Sequence, residues 1–224
     1  VLSVIYLIYT AGQTSRAELP LCAEAIRLAR ILATLMPDEP EVAGLLALLL
    51  LTESRRASRI SPDGSLALLG DQDRSCWDRS LIEEGQGIVR ACLRRNHPGP
   101  YQLQAAINAV HADAPTIDQT DWSQIVALYD HLLAVAPTPI VALNRAIAIG
   151  EVQGAATALA LVDALDLDNY QPFHATRADL LRRLNRNNEA AAAYEHAAAM
   201  APTDAEREFL TRGGRSRRPT TSRQ

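Results

Sequence analysis

Apolar residues recur along this chain at three- and four-residue spacings, and strict alternation is almost absent, which predicts helices nearly throughout. Ser15-x-x-Glu18 has the form of a capping box, followed by Pro20 and a ladder at Leu21, Ala25, Leu28, Leu32 and Leu35. Pro37 ends that helix. Asp38-x-x-Glu41 starts the next, which carries the apolar run Val42–Leu51 and continues to about Arg59. Ser61-Pro-Asp-Gly64 is a turn signal, and Leu66–Leu69 is the one segment where a short strand is allowed. Ser80-x-x-Glu83 opens a further helix with Leu81, Ile82, Gly85, Val89, Cys92 and Leu93 on its inner face. His97-Pro-Gly-Pro100 then breaks the chain, and the internal boundary is placed there, with an N-terminal helical region over 1–98.

Beyond the break the pattern repeats. Setting Tyr129 against Tyr194 also sets Pro137 against Pro202, an offset of two units of about 32 residues, the length range of helical-hairpin repeats. A third unit fits between them, from Pro139 to about Asp168. In the last unit Ala178, Glu189-Ala190, Tyr194, Ala197 and Pro202 follow the tetratricopeptide order of small residues, aromatic and closing proline. Asn185 stands where that order has the glycine of the inter-helix turn, and Asn also tolerates positive φ. The middle unit has Gly154 but no aromatic. Thr203-x-x-Glu206 opens a closing helix with Phe209 and Leu210, so the repeat region covers 99–212, and disorder is expected over 213–224. The fold class is therefore all-α: a helical bundle followed by tetratricopeptide-like hairpins.

Composition agrees. Of the 224 residues 48% are apolar but only 4% aromatic, so the core must be built from Ala, Leu, Ile and Val, and Ala and Leu are strong helix formers. The length is enough for a sizeable core without disulfides or metals. Cys22, Cys76 and Cys92 are too few and too scattered for a disulfide framework or zinc site, and are expected as small buried residues in a reducing cytoplasm. The opening Val1–Tyr9 stretch is apolar but lacks the charged region of a signal peptide. Val42–Leu51 has about half the length of a membrane span, so it reads as a buried core helix and no membrane is implied. With Val at position 1, the chain reads as part of a longer protein.

Charge is uneven. Every basic residue is Arg, and five of them lie in the acid-free stretch from Arg212 onward, leaving residues 1–211 with 17 Arg against 26 acids, a net of −9. Between residues 96 and 176 eight acids (Asp113, Asp118, Asp121, Asp130, Glu151, Asp163, Asp166, Asp168) face one Arg, Arg145. A polyanion would be repelled there, which argues against direct nucleic-acid binding by this region, whereas a basic protein surface would be steered to it.

Three clusters carry candidate chemistry. Asp71, Gln72, Asp73, Arg74, Trp77 and Asp78 form the densest polar segment. Its three carboxylates lack the central Gly and distal Glu of a calcium loop. A structural loop is the leading reading, with Arg74 paired to a carboxylate, Trp77 as anchor and Asp78 or Ser80 as helix cap; a partner or ligand contact is the alternative. On the helix after Tyr101, Gln104, Asn108 and His111 fall at spacings of four and three and share a face. That stripe suits either the groove of a helical repeat or simple carbonyl bonding by His111. His111 with Asp121 could form a base and its orienter, but no Ser or Cys sits in a nucleophile elbow. Arg145 interrupts an apolar helix and is expected either to pair with an acid such as Asp121 or Asp163 or to anchor a partner's carboxylate. No phosphate loop, dinucleotide fingerprint or zinc-protease helix occurs, so no cofactor, metal or catalysis is expected.

Several segments together share one pattern: Leu21–Arg30, Asp71–Arg74 with Trp77-Asp78, Gly99–Gln102 through Ala105-Ala106 to His111, Thr120–Trp122, Leu143–Ala146 and Arg177–Leu184. Over about residues 4–210 the chain resembles the C-terminal tetratricopeptide-like extension of a subgroup of bacterial extracytoplasmic-function sigma factors. The resemblance implies a regulatory domain in transcription initiation. Its partners would be its own sigma domains, RNA polymerase through them, and a small protein with an Asp-Gly-Pro-Phe motif. The two sigma domains that bind polymerase and promoter are not in this sequence, so by this resemblance DNA binding belongs to the longer protein. The alternative is a small-molecule sensor with walls at Trp77, Tyr101, Gln104, His111 and Trp122.

Overall fold

The computed structural model describes residues 1–13, 19–59 and 67–215. Among the described residues there is no strand, and eleven α-helices follow one another: α1 (Leu2–Gly12), α2 (Leu19–Leu35), α3 (Pro40–Glu53), α4 (Arg79–Arg95), α5 (Pro100–Asp113), α6 (Trp122–Val135), α7 (Pro139–Val152), α8 (Ala155–Asp163), α9 (Gln171–Arg183), α10 (Asn187–Ala199) and α11 (Asp204–Arg215). The expected caps at Ser15–Glu18, the turn at Ser61–Gly64, Leu66 and the tail beyond Arg215 lie outside the described residues. Ala67 and Leu68 have no regular structure and Leu69–Gly70 is a turn, so no strand forms in the described part of that segment. The closing helix continues past the expected end at Arg212 to Arg215.

The described residues divide into two compact units, 1–59 with 67–136, and 137 onward. The break at His97–Pro100, read from sequence as the internal boundary, is a turn within the first unit. There Asn96 ends α4 in the left-handed conformation (φ 50°), and Pro100 takes the first position of α5, where a missing N–H costs nothing.

In the first unit α3 is the central element. Every residue from Gly44 to Leu51 is buried, because α1, α2, α4 and α5 all pack against this helix. Gly44 lets α5 approach closely: an added Cβ would stand 2.7 Å from the Gln102 amide nitrogen. At the same end Glu41 accepts hydrogen bonds from the Tyr101 and Gln102 amides at 2.9 and 3.2 Å, so a side chain of α3 caps the start of α5.

Helix α2 buries the middle of the expected ladder, Ala25 fully and Leu28 and Leu32 in part, but not its two ends. Its packed face is made of the small residues Cys22, Ala25 and Ala29, while Leu21 and Leu35 of the expected ladder are exposed. Small side chains win because they bring the α2 backbone close to α1, whose Tyr9 carbonyl accepts from the Cys22 thiol at 3.3 Å. On α4, Ile82, Gly85, Val89 and Cys92 are buried as expected, but Leu93 is exposed. Asp78, not Ser80, caps this helix, accepting from the Ser80 and Leu81 amides. Arg30 of α2 and Glu84 of α4 pair across the surface.

The second unit is built as helical hairpins. α7 packs on α8, α8 on α9, α9 on α10 and α10 on α11, the neighbour-to-neighbour pattern of a solenoid. Its core includes Leu143, Leu159, Val162, Phe173, Leu181 and Tyr194. Asn185 adopts φ 59° in the α9–α10 turn, the conformation that the repeat register requires there. Tyr194 fills the space between α10 and α11, against Gly213 and Gly214. Arg183 of α9 reaches back to Glu151 of α7 at 2.6 Å.

Candidate functional site

The loop before α4 brings together the first polar cluster and the stripe on α5. Asp73 caps a single 3-10 turn, Arg74–Cys76, by accepting from the Ser75 amide, and this turn aims Arg74 back at the end of α5. Arg74 Nη1 donates to the His111 carbonyl at 2.6 Å and also to the Ala114 carbonyl. It thus satisfies carbonyls that the helix end leaves without intrahelical partners. The expected partner was a carboxylate; a helix C-terminus takes that role, which suits a cation because the carbonyl ends of the peptide dipoles converge there.

Trp77 is the anchor of this loop. Its indole is buried, and Nε1 donates to Ser58 Oγ at 2.8 Å. Arg74 lies over the Trp77 ring at 4.8 Å and Arg55 at 5.9 Å from its centroid. Arg55 Nη2 donates to Asn108 Oδ1 at 2.6 Å, and Asn108 Nδ2 donates to the Gln104 carbonyl. The spacing of Gln104, Asn108 and His111 therefore does define one face, and that face looks onto the arginines. Gln72 accepts from Ser58 Oγ and donates to the Ala67 carbonyl, holding the loop to the end of α3.

His111 is buried, and its ring meets the edge of Trp122 at 5.2 Å. Burial first, then the charges of Arg55 and Arg74, push its pKa down to about 4, so the imidazole is neutral near pH 7. Arg55 is pushed down to about 10 by burial and by the neighbouring Arg59 and Arg74 charges. His111 Nδ1, Arg74 Nη2 and Thr120 Oγ1 are buried without a hydrogen-bond partner among the described residues.

Other expected site residues lie elsewhere. Asp71 is exposed. Tyr101 sits at the start of α5 against Tyr6, with ring centroids 5.9 Å apart. Asp121 caps α6 by accepting from the Gln124 amide at 2.9 Å, and His111 Nδ1 has no partner, so the two form no base-and-orienter pair. Asp163 is held by Arg177 at 2.7 Å. Arg145 is half-buried on α7 in the second unit. Cys22 and Cys92 are buried as expected, but Cys76 is exposed, its thiol turned to Asp73. No group of three or more metal-ligating side chains occurs among the described residues. None of their helices is long and apolar enough to cross a membrane.

Sequence reasoning passed over Arg55 and Ser58, which complete the cluster. A signal existed: Arg55, Arg56 and Arg59 follow directly on the apolar run of α3, a dense group of cations at the end of a core helix.

A second feature lies between α1 and α2. Val4 and Ile8 on one wall and Leu28, Ile31 and Leu32 on the other line an open apolar groove of about 440 Å³. Val4 and Leu7 on α1, and Ile31 and Leu35 on α2, are exposed. This is the face that α2 leaves uncovered by packing through its small residues.

Known proteins are similar to this one over part or most of its length. A family of unknown function, DUF6596, matches residues 1–93. The chain is 42% identical over 217 residues to an uncharacterized protein of Rhizobium meliloti (strain 1021), an alignment covering 94% of this chain and 51% of that protein. It therefore spans about half the length of the curated relative it matches. The crystal structure of a thermophilic tetratricopeptide-repeat protein of Thermus thermophilus is similar at a TM-score of 0.63 and 17% identity, covering 94% of this chain and 98% of that one. At that identity the likeness shows the fold alone: an all-helical, tetratricopeptide-like architecture.

Proposed function

We propose that this chain is a regulatory module without catalytic activity, which holds the sigma domains of a longer sigma-factor-like protein and so controls transcription initiation. The observation that carries this reading is the apolar groove between α1 and α2. Its exposed Val4 and Ile31 lie on walls that no described element covers. Apolar surface of this kind gains about 25 cal/mol for each Å² removed from water by a partner. The motif resemblance supports sigma domains as the occupant, and so does a relative about twice the length of this chain. The eight acids between residues 96 and 176 are all exposed, which suits a partner whose DNA-binding surfaces are basic. A small protein with an Asp-Gly-Pro-Phe motif is a further candidate partner.

The test is to mix the chain with separately made sigma domains of such a longer protein, at low and at moderate salt, and to measure binding by calorimetry. Association is expected in both buffers, faster at low salt, and weakened at least tenfold by Val4→Asp with Ile31→Glu. Failure to associate in either buffer would sink the reading, as would binding that ignores the double substitution.

A second reading, small-molecule sensing, is favoured by the Arg55–Trp77–Arg74 cluster and the unpartnered buried polar atoms of Arg74, His111 and Thr120.

A further inference from the structure

The cations at the end of α3 and before α4 have no counter-charge among the described residues. Arg55 and Arg74 share the Trp77 ring, at 5.9 and 4.8 Å from its centroid, and neither forms an ion pair with a described residue. Arg56, next in sequence, is paired with Glu53 at 2.6 Å and plays no part in the cluster. Partly buried like charges of this kind are costly unless a negative group joins them. Hydrogen bonds to the Asn108 amide oxygen and to the carbonyls of His111 and Ala114 offset only part of that cost, because each brings a dipole and not a charge.

Hydrogen-bonding capacity is also left over. Arg74 Nη2 is buried without an acceptor, and so are the ring Nδ1 of His111 and the hydroxyl of Thr120. All three belong to groups about the end of α5 and the start of α6. Polar atoms inside a protein are nearly always paired. With His111 in its Nδ1–H tautomer, the three unpartnered atoms can all donate, and beside two guanidinium groups unpaired among the described residues they suit an acceptor with several lone pairs. A tetrahedral or planar oxyanion supplies both the negative charge and the acceptors, and Arg binds such groups through paired N–H donors.

We propose that Arg55, Arg74 and His111, floored by Trp77, form a receptor for one oxyanion group, the phosphate or carboxylate of a small metabolite. This assigns a ligand class to the sensing reading and stands whether or not the chain holds sigma domains. Arg59, exposed and close enough to act on Arg55, lies at the rim and draws the anion in. Occupation would tie the end of α3, the loop before α4 and the end of α5 to one another, so ligand binding stabilises the first unit as a whole.

The chain carries its own reporter, because its two tryptophans, Trp77 and Trp122, both belong to this cluster. Tryptophan emission and thermal unfolding are followed while inorganic phosphate, or citrate as the carboxylate probe, replaces chloride at constant ionic strength. A saturable change in emission and a rise in Tm are expected with at least one of the two anions. Whichever anion acts identifies the group. Arg55→Met keeps an apolar side chain beside Trp77 and removes the charge, and is expected to weaken binding at least tenfold. Arg212→Met, on α11 of the second unit, leaves it unchanged. No saturable response beyond the chloride control overturns the proposal, because the cations are then neutralised from within the chain. A response that survives Arg55→Met overturns it equally. Emission that changes with uncharged metabolites but with neither anion would keep sensing and discard the oxyanion.

Discussion

Gly44 of α3 lies directly against the backbone of Gln102 in α5, so that a methyl group at position 44 would stand 2.7 Å from the Gln102 amide nitrogen. The obstacle is backbone, which cannot swing aside as a side chain would. In an open helix Gly→Ala stabilises by up to about 1 kcal/mol. At Gly44 that gain is overridden by overpacking, and Gly44→Ala is expected to cost about 1–3 kcal/mol net. Gly87 of α4 provides the contrast, since the nearest atom to its added Cβ is the flexible tip of Arg90 at 4.0 Å. Gly87→Ala should stabilise by a few tenths to about 1 kcal/mol. Urea unfolding of the two variants beside the parent chain checks the opposite signs.

Glu41 ties the same two helices by another means. Its carboxylate accepts from the Tyr101 amide at 2.9 Å, the Gln102 amide at 3.2 Å and the Gln102 side chain at 3.0 Å. These donors belong to the first turn of α5, where nothing within the helix can accept from them. Glu41→Ala is expected to cost about 1–2 kcal/mol and Glu41→Gln about half as much, since Gln keeps one acceptor oxygen. Hydrogen exchange at Tyr101 and Gln102 should quicken in the Ala variant. Unchanged exchange there would show that the cap contributes nothing.

Much of the fold was legible because helix periodicity, prolines and turn residues point the same way. The hairpin register could be read through Tyr194, Pro202 and Asn185 because each satisfies a local demand: an inter-helix space, a helix stop and a positive φ. What was misread depended on distance. The ladder's centre, Ala25 with Leu28 and Leu32, does face the core, yet close packing centres the buried face on Cys22, Ala25 and Ala29 and leaves Leu21 and Leu35 exposed. Periodicity reports which residues are apolar, not which of two apolar faces is covered. The site was half legible. Trp77, Arg74 and the α5 stripe stood out as polar groups in apolar company, but their meeting with Arg55 depends on how α3 and α5 pack, which no local pattern records.

Asn185 carries the turn between α9 and α10 at φ 59°, a conformation in which a Cβ branch crowds the following carbonyl. Asn185→Ala is expected to cost about 1 kcal/mol, whereas Asn185→Gly should lie within about 0.5 kcal/mol of the parent. Thermal unfolding of the two variants gives the comparison. Equal stability of the Ala and Gly forms would mean that the turn relaxes to another conformation.

His111 makes the stability of the first unit depend on pH, and the sign follows from its surroundings. In the unfolded chain a histidine protonates near pH 6.5, but burial and the charges of Arg55 and Arg74 hold the folded imidazole neutral down to about pH 4. Between those values the unfolded chain takes up a proton that the folded chain refuses. Stability from this group is therefore complete above about pH 6.5, declines as pH falls through the window, and is spent below about pH 4. Between pH 7.5 and pH 5 the loss amounts to about 2 kcal/mol. Carboxylates also titrate toward the lower end, so the measurement is the difference between the parent chain and His111→Asn, which lacks the titrating ring. Urea unfolding at half-unit steps should show the parent losing about 2 kcal/mol more than the variant over that range. Parallel profiles would mean that the folded ring accepts its proton as readily as the unfolded one, and that the two guanidinium charges do not reach it.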